Sequence, residues 1–365
     1  MPSASLPIGT LPAVAPVTLT GHRSVVRRYE LLDGNGSYVA DLDGVRGASL
    51  KQSAQATLKR GGNAAVTDMG QDVNWLTARI RASYEIVGGP SWGLGVYLPS
   101  MPVAQWSGGV RRWDVELLDV ATVLAESTVD DDYEIVAGTV VTDAVRTLID
   151  LAGENAAAVT DSPKTLTTSR VWEAGTPLLT IINELLDSIG YFSLATDGDG
   201  RLTGSPYVRP AARPEEWEFI DDGETCIYRP EMSVEQDLYR VPNHVLARTQ
   251  GTGDNAGLLV NVYNDSPDSP FSRANRGRTI TRVIDAEATD LDALETIASR
   301  ALIDATTPTS TVVIDALPVP LDVNAAVRFR SQPAGIDHRH VVTNIEYGAN
   351  DTDLARYTLR EVVDI

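Results

Sequence analysis

The sequence predicts a mainly β protein with an α+β insertion, and three observations carry that prediction. Two stretches, 24–119 and 213 onward, hold short alternating apolar–polar runs separated by Gly, Asn, Asp and Pro turn signals. Between them, over 120–212, the apolar spacing changes to the three-to-four-residue period of helices. Gly (29) and Pro (20) are plentiful while aromatic residues make up 6%, a composition suited to many turns and short elements.

Residues 1–21 are rich in Pro, Ala, Val and Thr and poor in charge, which reads as an extended N-terminal arm with no core of its own. In the first β region, 22–119, the run 25–32 enters Asp33-Gly34-Asn35-Gly36, where Asn and Gly tolerate the positive φ of a tight turn. Asp43-Gly44 marks a second turn. The run 49–59 reads as a strand with one exposed face, followed by strands over 75–87, 93–98 and 111–119, with a Gly88-Gly89-Pro90 break between the first two of these. Short strands at such spacing argue for a small antiparallel barrel or sandwich.

In the middle region, 120–212, Val145, Leu148, Ile149 and Ala152 share a helical face, with Thr142 as N-cap and Gly153 as stop. A second helix is predicted over 176–190, capped by Thr176, with Pro177 at its first position and Gly190 as stop. The stretch 191–202 reads as a hairpin folded over Asp197-Gly198.

The last region, 213–365, returns to β with strand pieces at 213–219, 228–234 and 243–249, then a polar loop at 264–277 broken by two prolines. One helix interrupts it over 290–305, with an apolar stripe of Leu291, Leu294, Ile297, Ala298, Ala301 and Leu302 and acidic residues in its first turn. The strand at 356–363 echoes 112–118 in pattern: basic, aromatic, then alternating.

Several function classes fall away on charge and motif. Thirty Lys and Arg against 50 Asp and Glu leave a net charge of 30 − 50 = −20, and Arg27-Arg28 and Arg111-Arg112 are isolated pairs, which argues against duplex nucleic acid as the main partner. Cys226 is the single cysteine, so neither an intrachain disulfide framework nor a Cys-rich zinc site is available. The N-terminus lacks a basic n-region, and no apolar run is long enough to span a membrane, so the chain reads as made in the cytoplasm.

Gly89-Pro90-Ser91-Trp92-Gly93 fits the serine-hydrolase pattern, but the flanks are both strands and Gly-Pro makes a hairpin turn. His338 and His340 share one side of a strand and would need a third metal ligand such as Asp337, His244 or His22; the competing reading is a polar rim or subunit contact. Asp197 and Asp199 open like a calcium loop whose later ligands are missing, and Asp130-Asp131-Asp132 reads as a solvated loop. Glu215-Glu216 and Asp221-Asp222 are adjacent acids, an arrangement that says nothing about a glycosidase cleft. Gly251, Gly253 and Gly257 miss the dinucleotide-binding spacing. Asn35, Asn264 and Asn350 sit in glycosylation-like triplets that read as turns. No catalytic, cofactor-binding or metal-binding residue is therefore assigned, and no enzymatic activity.

The order of segments nonetheless carries a resemblance. Arg-Arg-Tyr-Glu-Leu-Leu-Asp-Gly-Asn-Gly (27–36), Asp-Leu-Asp-Gly-Val (41–45), the tract 49–62 and Asp-Val-Asn-Trp-Leu-Thr-Ala-Arg-Ile-Arg (72–81) resemble the opening of minor tail proteins of actinobacterial long-tailed phages. The segment 172–191, followed by Asp-Gly-Asp-Gly-Arg-Leu (197–202), is similar to the middle of the baseplate (tail-tip) hub family, which includes contractile-tail hubs and the base of the type VI secretion spike. The resemblance covers about 25–365.

It implies two tube-like antiparallel β-barrel domains (22–119 and 213–365) flanking a small α+β domain (120–212). Three such chains would form a pseudo-sixfold ring at the virion's tail tip, adapting a sixfold tube to a threefold tip. The implied partners are a second and third copy, distal tail or tail tube protein, tape measure protein and other tip or central-fibre proteins. DNA would pass through an acidic lumen without specific binding. The arm is expected to add as a strand to a neighbour, and the 264–277 loop and the first turn of the 290–305 helix are expected at an interface, at the lumen or in solvent. The chain stops at Ile365 directly after the last barrel strand, so no appended peptidase or receptor-binding module is expected. Two other readings compete: a carbohydrate-binding tail protein stacking sugars on Trp75, Trp92, Trp106 and Trp113, and a cell-wall hydrolase.

Overall fold

A computed structural model describes residues 17–20, 23–222, 225–235, 241–249, 257–267, 269–286, 291–306 and 310–362. The N-terminal arm lies outside the described residues except for α1 (Val17–Thr20), a single helical turn whose Leu19 is buried in the main core. His22, Gly251, Gly253 and Asp290 also lie outside them.

Seven strands follow: β1 (Val25–Leu32), β2 (Tyr38–Asp41), β3 (Val45–Ser53), β4 (Arg60–Thr67), β5 (Arg79–Ile86), β6 (Ser91–Ser107) and β7 (Val110–Asp119). The β1–β2 turn forms as its chemistry predicts, with the Asp33 carboxylate accepting from the Asn35 and Ser37 N–H groups at 2.9 Å each. Three strands differ from the sequence reading. The one expected over 75–87 begins only at Arg79, with 75–77 forming a turn. The strand expected over 49–59 starts earlier and ends at Ser53, where the chain turns through 54–59 to reach β4. β6 runs far beyond 93–98, with an irregularity between Ser100 and Val103 where Met101 takes a left-handed φ of 45°.

The middle region comprises α2 (Thr122–Glu126), β8 (Tyr133–Ile135), α3 (Val141–Leu151), β9 (Ala157–Val159), β10 (Arg170–Trp172), α4 (Leu178–Ser188), β11 (Ala195–Thr196) and β12 (Leu202–Gly204). Both predicted helices are present, and both caps are shifted. Val140 occupies the N-cap of α3, while Thr142 is buried inside the helix with its hydroxyl directed at the Ser162 carbonyl. Pro177 is the N-cap of α4, not its first residue, and the Thr176 hydroxyl donates to the Glu173 carbonyl (2.7 Å). The predicted stop at Gly190 is right: at φ 76° it donates to Asp187 while Tyr191 donates to Leu186, both at 2.9 Å, closing a Schellman motif. The apolar faces of α3 and α4 build a separate core around Val145, Leu148, Ile181 and Leu185.

The last region holds β13 (Glu215–Ile220), β14 (Tyr228–Glu235), β15 (His244–Arg248), β16 (Leu259–Tyr263), α5 (Arg273–Arg276), β17 (Thr281–Asp285), α6 (Leu291–Thr306), β18 (Thr311–Ala316), β19 (Ala326–Ser331), β20 (Ile336–Tyr347) and β21 (Ala355–Glu361). The expected 264–277 loop ends in the single turn of α5, where the Ser272 hydroxyl accepts from the Asn275 N–H and Gly277 closes at φ 66°. β16, β15 and β17 form their own small sheet, and α6 packs on it through Leu294, Ala298 and Leu302. Leu291, expected on that stripe, is exposed because the helix turns its first residue away from the sheet.

The chain is mainly β with small helical insertions. One sheet contains strands from both β regions, in the order β14-β18-β21-β20-β3-β4-β7-β6-β5-β1-β2, with β19 beside β20 and β13 beside β19. Within it a five-strand antiparallel unit occurs twice: β3-β4-β7-β6-β5 and β14-β18-β21-β20-β19. The connectivity matches once the β15–α6 segment is set aside. The echo between 112–118 and 356–363 falls on β7 and β21, which hold equivalent places. Trp113 opposes Ala104, and Tyr357 opposes Ile345. The pairing irregularity between Ser100 and Val103 has its counterpart between Val342 and Asn344. The two units meet edge to edge where β20 pairs with β3, Glu346 opposite Lys51 and Tyr347 opposite Leu50. A shared core lies behind the junction, with Leu50, Tyr84, Tyr97, Phe219, Phe329 and Tyr357 all deeply buried.

Candidate functional site

The sequence motifs that suggested chemistry are occupied by structural work. Ser91 opens β6 opposite Glu85, so the strand–turn–helix elbow of a hydrolase is replaced by strand–turn–strand. Trp92 of the same motif is buried and packs on Tyr84 with ring centroids 4.7 Å apart. Gly93 is required for a different reason. A Cβ there would collide with the Gly198 carbonyl, because the turn at 197–200 rests directly on β6. That turn is the calcium-like sequence. Asp197 spends its carboxylate on the Asp199 and Arg201 N–H groups (2.9 Å each) and on the Arg201 guanidinium (2.8 Å).

His338 and His340 both lie on β20, but His338 is exposed and His340 is fully buried, edge-on to Phe329 at 5.8 Å. His340 Nδ1 lies 2.9 Å from the His338 carbonyl, Nε2 has no hydrogen-bond partner, and burial pushes its pKa down. His244 is engaged elsewhere, stacked on Tyr263 and bonded through its two nitrogens to Thr281 (2.8 Å) and Asn261 (2.9 Å). Among the described residues no cluster of three or more His, Cys, Asp or Glu is placed to hold a metal.

Three of the four adjacent acids are likewise in use. Glu215 pairs with Arg339 (3.1 Å), Asp221 accepts from the Gln332 N–H (2.8 Å), and Asp222 holds the Thr225 N–H (2.7 Å). Asp132 accepts from the Ala174 N–H in an exposed loop (3.3 Å). Cys226 donates to the Tyr228 carbonyl (3.3 Å).

Two ion pairs, each with one buried partner, had no signal in the sequence. Arg60, at the start of β4, donates to the carbonyls of Thr196 and Leu94 (2.9 Å each) and pairs with Asp322, while its N–H donates to Asp119 (2.9 Å). Burial opposes its charge, but Asp322 and Asp119 outweigh that and hold the guanidinium firmly protonated. Arg79 on β5 clasps Glu154 beyond α3 with two bonds of 2.9 and 2.7 Å. These two arginines tie the sheet to the middle region.

The outer part of the β6–β7 hairpin exposes Met101, Val103, Trp106 and Val110. Arg111 lies between Trp106 and Trp113, 5.5 and 4.9 Å from their ring centres, and pairs with Asp68. Trp75 packs on Trp113 at 5.7 Å beside a cavity of about 250 Å³. Of the four tryptophans weighed as sugar platforms, Trp106 alone is open to solvent.

No protein-family model matches the chain, and no curated protein matches it significantly. Solved structures do. A tail protein of Neisseria meningitidis superposes with a TM-score of 0.66 at 14% identity, covering 93% of this chain and 97% of that one. The chain has the fold of a phage tail protein. The 43 kDa tail protein of prophage MuSo2 from Shewanella oneidensis gives 0.67 at 14%, covering 92% and 98%. A Listeria monocytogenes prophage tail protein gives 0.57 at 11%, covering 91% and 94%. The tail-protein fold thus spans nearly the whole chain, its middle region included. Among the described residues no helix is long and apolar enough to cross a membrane.

Proposed function

We propose that this chain is a structural component of a phage tail tip, a hub in which three copies form a ring between the tail tube and the tip. The observation that carries the reading is the end-to-end match to tail proteins in both directions of coverage. The five-strand unit repeated in tandem supports it, because two similar units in each of three chains make six positions around an axis. Its work is assembly and not chemistry, and its place is the virion. Distal tail or tail tube protein would bind on one side, tape measure and other tip or central-fibre proteins on the other. DNA would cross the lumen unbound.

Light scattering on the purified chain tests the central point. The expected mass is three times 39.2 kDa. Rings with threefold symmetry should appear in negative-stain images of the same sample, and a monomer at every concentration would overturn the self-assembling hub.

A further inference from the structure

Where β4 leaves the sheet, the first unit does not close over its own core. The buried side chains of Leu42 and Val66 floor the cavity of about 250 Å³ there, and the half-buried rings of Trp75 and Trp113 stand in its wall. Its shape is set within the chain. Gln71 ties the segment after β4 to the β2–β3 turn, its Oε1 accepting from the Asp43 N–H (2.9 Å) and its Nε2 donating to the Asp41 carbonyl (2.7 Å). The Thr67 N–H donates to the Gly44 carbonyl (2.8 Å), and Gly44, at φ 78°, sits so close that a Cβ would collide with the Thr67 carbonyl. Asp68 uses both carboxylate oxygens, one on the Gly70 N–H (2.8 Å) and one on Arg111. The Asp43 and Asp72 carboxylates, which complete the rim, hold no hydrogen bond or ion pair among the described residues.

We propose that this cavity is a binding site for a single neutral pyranose sugar. The fit is between two amphipathic partners. A pyranose offers a C–H face to an aromatic ring and a girdle of hydroxyl donors; Trp75 and Trp113 supply the rings, and Asp43 and Asp72 supply acceptors that lack donors. Charge selects among ligands. The Arg111 guanidinium lines the same cavity, lies 4.9 Å from the Trp113 ring centre and pairs with Asp68, so that ring already has its cation and a second one is repelled. A sugar bearing a carboxylate is repelled in turn by Asp43 and Asp72. The site lies within one chain, so it stands or falls independently of the ring.

Saturation-transfer NMR on the full chain tests it, with the methyl glycosides of β-D-galactose, β-D-glucose and α-D-mannose as probes. At least one should receive saturation, strongest at the C–H protons of one face, with a dissociation constant on the order of 1 mM, as expected for so small a ligand. The rim carries the test, because removing Trp113 would also open the core. Asp43→Asn with Asp72→Asn should weaken binding about tenfold, since charged acceptors become neutral ones, and leave the thermal midpoint unchanged. Asp130→Asn with Asp131→Asn, the same change of charge in the loop at 130–132, should bind as the parent does. Methyl β-D-glucuronide should receive no saturation. Transfer to none of the three neutral sugars, transfer undiminished by the rim substitutions, or a glucuronide that binds as well as the neutral sugars overturns the site. Tetramethylammonium that binds and is not displaced by the sugars overturns it too, in favour of a cation held by the same rings.

Discussion

At the residue scale, Arg60 and His340 make the sharpest demands. Arg60 is enclosed, and its charge is compensated by Asp322, Asp119 and two carbonyls drawn from three regions of the chain. Arg60→Met keeps much of the volume but strands Asp322 and breaks both carbonyl bonds. The expected loss is about 1–3 kcal/mol, read as a lower urea midpoint, because the Leu94 and Thr196 carbonyls lose their donor inside the fold while the half-exposed Asp322 is rehydrated. A loss under about 1 kcal/mol would show the pair to be dispensable. His340 sits neutral in the core with a pKa held below its ordinary 6.5 by burial. The unfolded chain then takes up a proton that the folded one refuses, so stability is complete above pH 6.5 and falls as pH drops toward the folded value. His340→Phe should flatten this part of the acid limb, measured as the difference in urea midpoint from the parent between pH 7.5 and 5.5. An unchanged slope would place the sensitivity elsewhere.

At the element scale, the contact between β6 and the 197–200 turn shows how the sheet and the helical region are held in place. Gly93 lets two backbones approach where no side chain fits. Gly93→Ala should therefore cost about 1–3 kcal/mol, seen as a lower thermal midpoint, since backbone cannot move aside as a flexible side chain can. The same elements show what a sequence makes legible. Strands, helices and stops written in local chemistry, such as the Asp33 turn and Gly190, are read directly. Caps slipped by a residue or two because Thr142 and Thr176 carry capping chemistry but tertiary packing chose Val140 and Pro177. The serine-hydrolase and calcium-loop patterns are local too, and what they do, resting on each other across the fold, is not. Arg60 and Arg79 are silent for that reason: a strand arginine usually faces water, and only the arrival of Asp322 or Glu154 draws it inward.

At the scale of the whole molecule, acidity is the property that the proposed assembly would have to accommodate. Many arginines are matched by an acid across the strands, as in Arg81–Glu30, Arg328–Asp337 and Arg356–Asp315, and the chain as a whole carries a net charge of −20. In the proposed ring, screening over roughly 8 Å at physiological salt would lessen the repulsion between copies of like charge, and a contact not built on charge would lose nothing by it. Higher salt should therefore favour the trimer, raising the fraction of ring at a fixed chain concentration between 20 and 500 mM NaCl in sedimentation velocity. A ring that dissociates as salt rises would instead place ion pairs between the copies. The same acidity bears on the proposed passage of DNA. Duplex DNA should migrate unretarded past the chain in a gel even at 20 mM NaCl, because phosphate binding requires clustered cations and releases counterions in proportion to them. Retardation that fades with salt would reveal a basic surface formed only on assembly, and would overturn the picture of a genome passing a wall that repels it.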